Sequence, residues 1–312
     1  MDPNRRKLLS AAVLAAASVR IAPSLAATDK KASYPIGAGT LSSLSDGYLD
    51  LPLRFPDDDP TLAEEMKQLL TDAGLSTEQN QPPCNISLWQ DPSNDKLVLF
   101  DIGAGTQFMD SAGQLAEQLE ARGIDPADVT DVLFTHAHPD HCWGLLDDFD
   151  ELFCPEATYH IHQTEFDYWL SDDTLNQTPE SSLAMVAGAR NRLPLIREQL
   201  KFFNWGDEVL PGIEAVDTHG HTPGHTSFAV HSGNESLLVL GDALTHPVFS
   251  FQRPQWHRAT DIDPETAAQQ RGKLLDRLVA DSTLILGFHL PGAGFGRVER
   301  AADQYRLISQ TM

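Results

Sequence analysis

Cysteine is scarce: Cys84, Cys142 and Cys154 are the only three in 312 residues. An odd set of this kind does not support a disulfide framework, so the core has to come from the 41% of residues that are hydrophobic. Positive charge is short as well. Against 45 Asp and Glu stand 22 Lys and Arg, a formal net charge of -23. So acidic a surface repels phosphate backbones and argues against a nucleic-acid partner. Long apolar runs are missing too. The N-terminal run, residues 8–17, is shorter than a membrane-spanning helix needs.

Imidazole and carboxylate, by contrast, are concentrated. Thr135-His136-Ala137-His138-Pro139-Asp140-His141 places three histidines and an aspartate within consecutive positions. Val132-Leu133-Phe134, just before it, reads as a buried strand, and strand ends are where α/β-type sheets present their chemistry. In such a loop His136 and His138 can turn to one side while Asp140 and His141 reach another. That suits two neighbouring divalent metals of the zinc type.

His136-x-His138-x-Asp140-His141 resembles the signature of the metallo-β-lactamase superfamily. Four more pieces stand in the family's order: Leu97-Val98-Leu99-Phe100-Asp101-Ile102-Gly103 before the loop, then Thr218-His219-Gly220-His221-Thr222-Pro223-Gly224-His225, Leu238-Val239-Leu240-Gly241-Asp242 and Leu284-Ile285-Leu286-Gly287-Phe288-His289. The resemblance implies an α/β fold, a single-domain αββα sandwich with two packed sheets, helices outside and metals at one edge. It implies His136, His138 and His221 as ligands of one metal, Asp140, His141 and His289 as ligands of the other, and Asp242 as the bridge. Asp101 and His225 would support these ligands from behind.

The implied cofactors are two divalent ions per chain, zinc by the ligand chemistry. The implied reaction is hydrolysis of a small ester-type substrate (lactone, aryl ester or organophosphate triester) by a metal-bridging hydroxide that Asp140 and Asp242 hold in place. A thioesterase of the glyoxalase II type is the alternative. An iron-dependent sulfur or oxygen oxidoreductase is less favoured, because redox members usually carry a carboxylate where this chain has His138. Within the hydrolases, Leu44-Ser45-Asp46-Gly47, Asp101-Ile102-Gly103-Ala104, Phe166-Asp167-Tyr168-Trp169-Leu170-Ser171 and His289-Leu290-Pro291-Gly292 resemble the methyl parathion hydrolase group. Phe108 and Trp169 would then line an aromatic leaving-group pocket. Cys142-Trp143-Gly144 departs from that group, and no third pocket aromatic stands between Thr178 and Arg192.

The N-terminus is read apart from the fold. Arg5-Arg6-Lys7, an Ala/Val/Leu-rich run and Ser24-Leu25-Ala26 resemble a twin-arginine export signal over residues 1–27. The hydrolase domain is then 34–312, periplasmic or secreted, delivered by twin-arginine export machinery and without stable membrane insertion after cleavage. A homodimer is compatible with the sequence. Along the domain, the patterns predict a strand pair about an Asp46-Gly47 turn and helices over 61–73, 111–122 and 264–280. A further helical stretch runs from 178 to about 202 with a break at Pro194. His160, His162, His219, His246, His257 and Cys142 are expected to lie outside the ligand set.

Overall fold

The apolar runs that end in acids or histidines are strands, and they sort into two sheets. The computed structural model describes residues 32–310; the expected export signal lies outside the described residues. β1 (Ser33–Ile36), β2 (Gly39–Tyr48) and β3 (Leu51–Pro52) lead to α1 (Pro60–Asp72), followed by β4 (Gln79–Asn80), β5 (Pro83–Asp91), β6 (Lys96–Phe100) and α2 (Leu115–Glu120). β7 (Asp131–Leu133) feeds α3 (Pro139–Cys142), and β8 (Thr158–His162) runs into α4 (Gln163–Leu170), α5 (Asp172–Gln177) and α6 (Leu183–Arg192). The second half holds β9 (Leu200–Phe203), β10 (Glu208–Leu210), β11 (Ile213–Asp217), β12 (Thr226–Ser232), β13 (Glu235–Val239), α7 (Phe249–Gln252), α8 (Pro264–Asp281), β14 (Leu284–Leu286), β15 (Phe295–Ala301) and β16 (Gln304–Ser309).

One sheet runs β1-β2-β5-β6-β7-β8-β9 and the other β10 to β16 in sequence order. Trp89, Phe100 and Leu133 of the first meet Phe228, Val239 and Leu286 of the second in an all-apolar layer; Phe100 and Phe228 pack with ring centroids 5.5 Å apart. The outer faces are covered differently. Leu99, Val132 and Tyr159 pack with Leu119, Val186 and Ala189 from α2 and α6. Leu238 and Ile285 pack with Leu274, Leu275 and Leu278 of α8. This is the αββα sandwich, with strands buried on both faces, as continuous apolar runs require. Among the described residues no helix is long and apolar enough to cross a membrane.

Three local expectations are overturned. Asp46-Gly47 is not a hairpin turn. β2 continues through it with a register irregularity, and Asp46 is buried, accepting from Ala104 N and Leu115 N at 2.9 and 2.8 Å. Burial outweighs those donors and raises its carboxyl to about 6. Gly47 stands at φ 100 with Ser111 O only 2.1 Å from where a Cβ would lie, so the glycine serves close approach. For the same reason the helix expected over 111–122 shrinks to α2: residues 47 and 112 pair as an isolated bridge, and Gly113 has φ 85. Finally, the helical stretch after Thr178 stops earlier than expected. Past α6 a short 3₁₀ turn, Leu193–Ile196, contains Pro194, and Leu200–Phe203 pairs parallel with β8 as an edge strand. The helix expected over 264–280 is α8, with Asp263 accepting from Thr266 N at 3.1 Å as its cap.

Candidate metal centre

The ends of β6, β7, β11, β13 and β14 open on one edge of the sandwich, and each delivers a residue singled out from the sequence. His136 Nε2 and His221 Nε2 each lie 3.0 Å from His138 Nδ1. On the other side, His141 Nε2 lies 3.4 Å from Asp140 Oδ2, and His289 Nε2 lies 3.2 Å from the same atom. Asp242 stands between the two groups. Its oxygens are 3.3 Å from His141 Nε2, 3.3 Å from His221 Nε2 and 3.5 Å from His289 Nε2.

The other ring nitrogens are anchored, which fixes how each histidine faces the centre. Asp101, at φ 64 just past β6, accepts from Thr135 N at 2.7 Å and from His141 Nδ1 at 2.8 Å. Asp261 takes His221 Nδ1 at 2.9 Å. Pro83 O takes His289 Nδ1 at 2.8 Å. His225 works on the backbone: Nδ1 donates to Thr218 O and Nε2 accepts from Asp242 N at 2.9 Å. Burial keeps that ring neutral, pushing it down to about 3.

The donor set fits divalent metals. Asp140 Oδ2, His141 Nε2 and Asp242 Oδ1 are buried with no hydrogen-bond partner. Orphaned buried polar atoms are costly, and these three converge. His136, His138 and His221 offer three ligand atoms within 4.8 Å of one another, as do His136, His141 and Asp242. Neutral imidazole with carboxylate is a zinc-type set.

Some participants were not evident from sequence. Cys84 lies beside Asp140 and His289, its Sγ within 4.8 Å of their ligand atoms, and burial pushes its thiol up to about 11. Cys142 instead donates to Ala137 O behind the loop. Glu165 and Asp261, neither in any motif, hold the site loops. Phe108 and Trp169 both line the cavity over the centre; Trp169 also packs edge-on against His138 at 5.5 Å. The segment between Thr178 and Arg192 lines it with Met185 and Val186, and Tyr168 is an additional aromatic there. The second His-x-His pair is structural: His160 bonds Asp131 at 2.9 Å, and His162 caps α4 through Thr164 N and stacks on Trp205. His219 pairs with Asp217 at the surface.

Comparison with known proteins agrees with this geometry. Residues 80–289 match the Metallo-beta-lactamase superfamily. The N-acyl homoserine lactonase AttM of Agrobacterium fabrum is 30% identical over 61% of this chain and 68% of its own. Among solved structures, AidC, a dizinc quorum-quenching lactonase in complex with a product, N-hexnoyl-L-homoserine, superposes with a TM-score of 0.82 at 28% identity, covering 90% of this chain and 97% of its own. The hydrolase AbOPH gives 0.82 at 27% identity with the same coverage. With its strand-end motifs in order and its family match spanning residues 80–289, the chain belongs to the metallo-beta-lactamase superfamily and is one of its metal-dependent hydrolases.

Proposed function

We propose that the enzyme is a dizinc lactonase that opens N-acyl homoserine lactones or chemically close lactones. One observation carries this reading. A cavity of about 700 Å³ opens on His138, Asp140, His221, Asp242 and His289 and is walled by Leu49, Leu51, Phe108, Trp169 and Met185. Its volume is of the order that holds a small ligand, roughly 300–1,000 Å³. Its apolar wall suits an acyl chain, and the carboxylates and imidazoles opposite suit the ring. The names of AttM and AidC support the same substrate class.

Zinc ions held by His136, His138 and His221, and by Asp140, His141 and His289, with Asp242 shared, would supply Lewis acidity and water activation. The remaining work belongs to the chain. Asp140 directs Oδ2 at the centre, which leaves Oδ1 to take the proton that the attacking water gives up and pass it to the leaving alkoxide. Asp101 and Asp261 hold His141 and His221 in one orientation throughout. Leu49, Phe108 and Trp169 exclude water from the acyl side of the bond.

Comparing a lactone, an aryl ester, a phosphotriester, a thioester and a β-lactam on metal-loaded protein tests this. N-hexanoyl homoserine lactone is expected to give the highest kcat/KM, by roughly tenfold or more. A second reading, an aryl ester or phosphotriester hydrolase of the methyl parathion hydrolase type, is favoured by Phe108, Tyr168 and Trp169 around one cavity; a preference for the phosphotriester would install it instead. A preference for the thioester would point to the glyoxalase II type.

Loading itself should be pH-linked. In metal-free protein, burial opposes charge on His221, but Asp242 and Asp261 outweigh it and raise the ring to about 9. Burial likewise opposes charge on His289 and His141, and neighbouring aspartates hold both well above the usual histidine range. Metal must displace those protons, so affinity should rise with pH up to about 9. Calorimetry in two buffers of different ionisation enthalpy should show two zinc ions bound per chain with proton release. Uptake without proton release would contradict this.

A further inference from the structure

His246 and Arg258 stand on the same cavity wall, outside the ligand set, and the catalytic reading gives them no task. His246 is held unusually firmly. Its Nδ1 accepts from Val248 N and from Phe249 N, both at 3.1 Å, and its ring stacks on Phe249 with centroids 4.2 Å apart at 15°. Two backbone donors on Nδ1 leave only one neutral tautomer, with the proton on Nε2. Burial, with the Arg258 charge beside it, pushes the ring down to about 3, so it stays in that tautomer.

Arg258 is tied to the same structure. Ser250 Oγ, fully buried, accepts from His246 N at 3.0 Å and from Arg258 Nη2 at 3.1 Å. Asp261, the acid that faces Arg258, is already engaged by His221 and Arg271 at 2.9 and 3.2 Å. Among the described residues Arg258 makes no salt bridge, which is unusual for a half-buried guanidinium in a chain of net charge -23. A guanidinium carries five N–H donors, and Ser250 occupies one nitrogen.

We propose that His246 and Arg258 form a polar anchor in this cavity, which binds an oxygen acceptor of the substrate remote from the bond that is cleaved. The substrate then has two recognised parts: an apolar tail against the Leu49 and Trp169 wall, and an amide carbonyl or similar acceptor against His246 and Arg258. The proposal deepens the lactonase reading and rests on the same cavity. Discrimination should be strong, because a substrate without the acceptor leaves buried donors unpaired.

The test uses metal-loaded full-length protein and two matched pairs of substrates. One pair is N-hexanoyl homoserine lactone and an alkyl lactone of equal length lacking the amide. The other is the 4-nitrophenyl ester of N-hexanoylglycine and that of an unsubstituted fatty acid of equal length. Wild type, His246→Phe and Arg258→Met are compared. His246→Phe also removes the acceptor for Val248 N and Phe249 N, so Arg258→Met provides a variant that spares that turn.

In both variants the kcat/KM ratio of amide-bearing to amide-free substrate should fall roughly tenfold or more, through KM rather than kcat, with zinc content per chain unaltered. Calorimetric binding of the two acid products of each pair, which needs no turnover, should show the same change. Equal losses within a pair, a loss confined to kcat, or loss of zinc would overturn the anchor. Lactones turned over with an unaltered ratio would overturn the anchor and leave the lactonase reading standing. Inert lactones with a changed ester ratio would do the reverse.

Discussion

Replacing Asp242 by alanine is expected to empty both halves of the metal centre and reduce turnover by roughly a thousandfold or more, about 4 kcal/mol of barrier. The expectation follows from position. Each histidine is assigned to one metal, whereas Asp242 has oxygens within 3.5 Å of His221, His141 and His289 together. Its backbone is also fixed, since His225 Nε2 accepts from Asp242 N. Gly241 lets the chain turn at φ 53 just behind it, against Thr135 and His225. His221→Ala should chiefly weaken the first site and His289→Ala the second. The control is His160→Ala, which should keep its metals and lose only stability, because His160 serves Asp131 beside Lys96. Elemental analysis and turnover of the Asp242 and His160 variants side by side decide the matter. An Asp242→Ala protein with two metals and normal turnover would end the bridging assignment. A His160→Ala protein missing a metal would mean that the other His-x-His pair is the ligand pair.

The sandwich and the cluster were readable because the apolar strands are buried on both faces and end in unusual residues. Leu97 to Phe100, Leu238 to Leu240 and Leu284 to Leu286 each lack a polar face, which is what a strand inside two layers needs. His136, His138, Asp140 and His141 then stand out by density alone. What was not readable acts at a distance. Asp46, Glu165 and Asp261 are single acids outside the metal motifs, and the contacts by which they hold the site loops include backbone or ring nitrogens 28 to 69 positions away in sequence. No local periodicity records such a contact. Asp46-Gly47 misled for a related reason: the pair has hairpin chemistry, yet the aspartate is drawn inward by Ala104 N and Leu115 N. Leu200 to Phe203 misled because its apolar residues continue the spacing of α6, and only pairing with β8 makes it a strand.

Glu165→Ala is expected to cost much stability, although the Glu165 carboxylate touches no metal-ligand side chain. It is fully buried. One oxygen accepts from Ala137 N at 2.9 Å and Trp169 Nε1 at 2.6 Å. The other accepts from Thr222 Oγ1 at 2.7 Å and Gly224 N at 2.9 Å. Burial pushes this carboxyl up, while the four donors favour its charge. A single side chain therefore joins the 136–141 loop, the 218–225 loop and α4. Gly224 makes the approach feasible, since a Cβ there would lie 2.4 Å from Glu165 N. Glu165→Ala orphans four buried donors at about 1–3 kcal/mol each, so a loss of roughly 5 kcal/mol is expected. At roughly 2–4 °C per kcal/mol for a chain of this size, the melting temperature should fall by roughly 10–20 °C. Glu165→Gln keeps the shape, and Thr222 can reverse its hydroxyl, but an amide N–H would face the N–H of Gly224 or Ala137. That variant should lose about 1–3 kcal/mol. Both are to be melted without metal, because metal binding would otherwise add its own stabilisation to the folded state. If Glu165→Ala melts within a degree or two of wild type, the carboxylate does not hold the two loops, and their positions must be set by the strands alone.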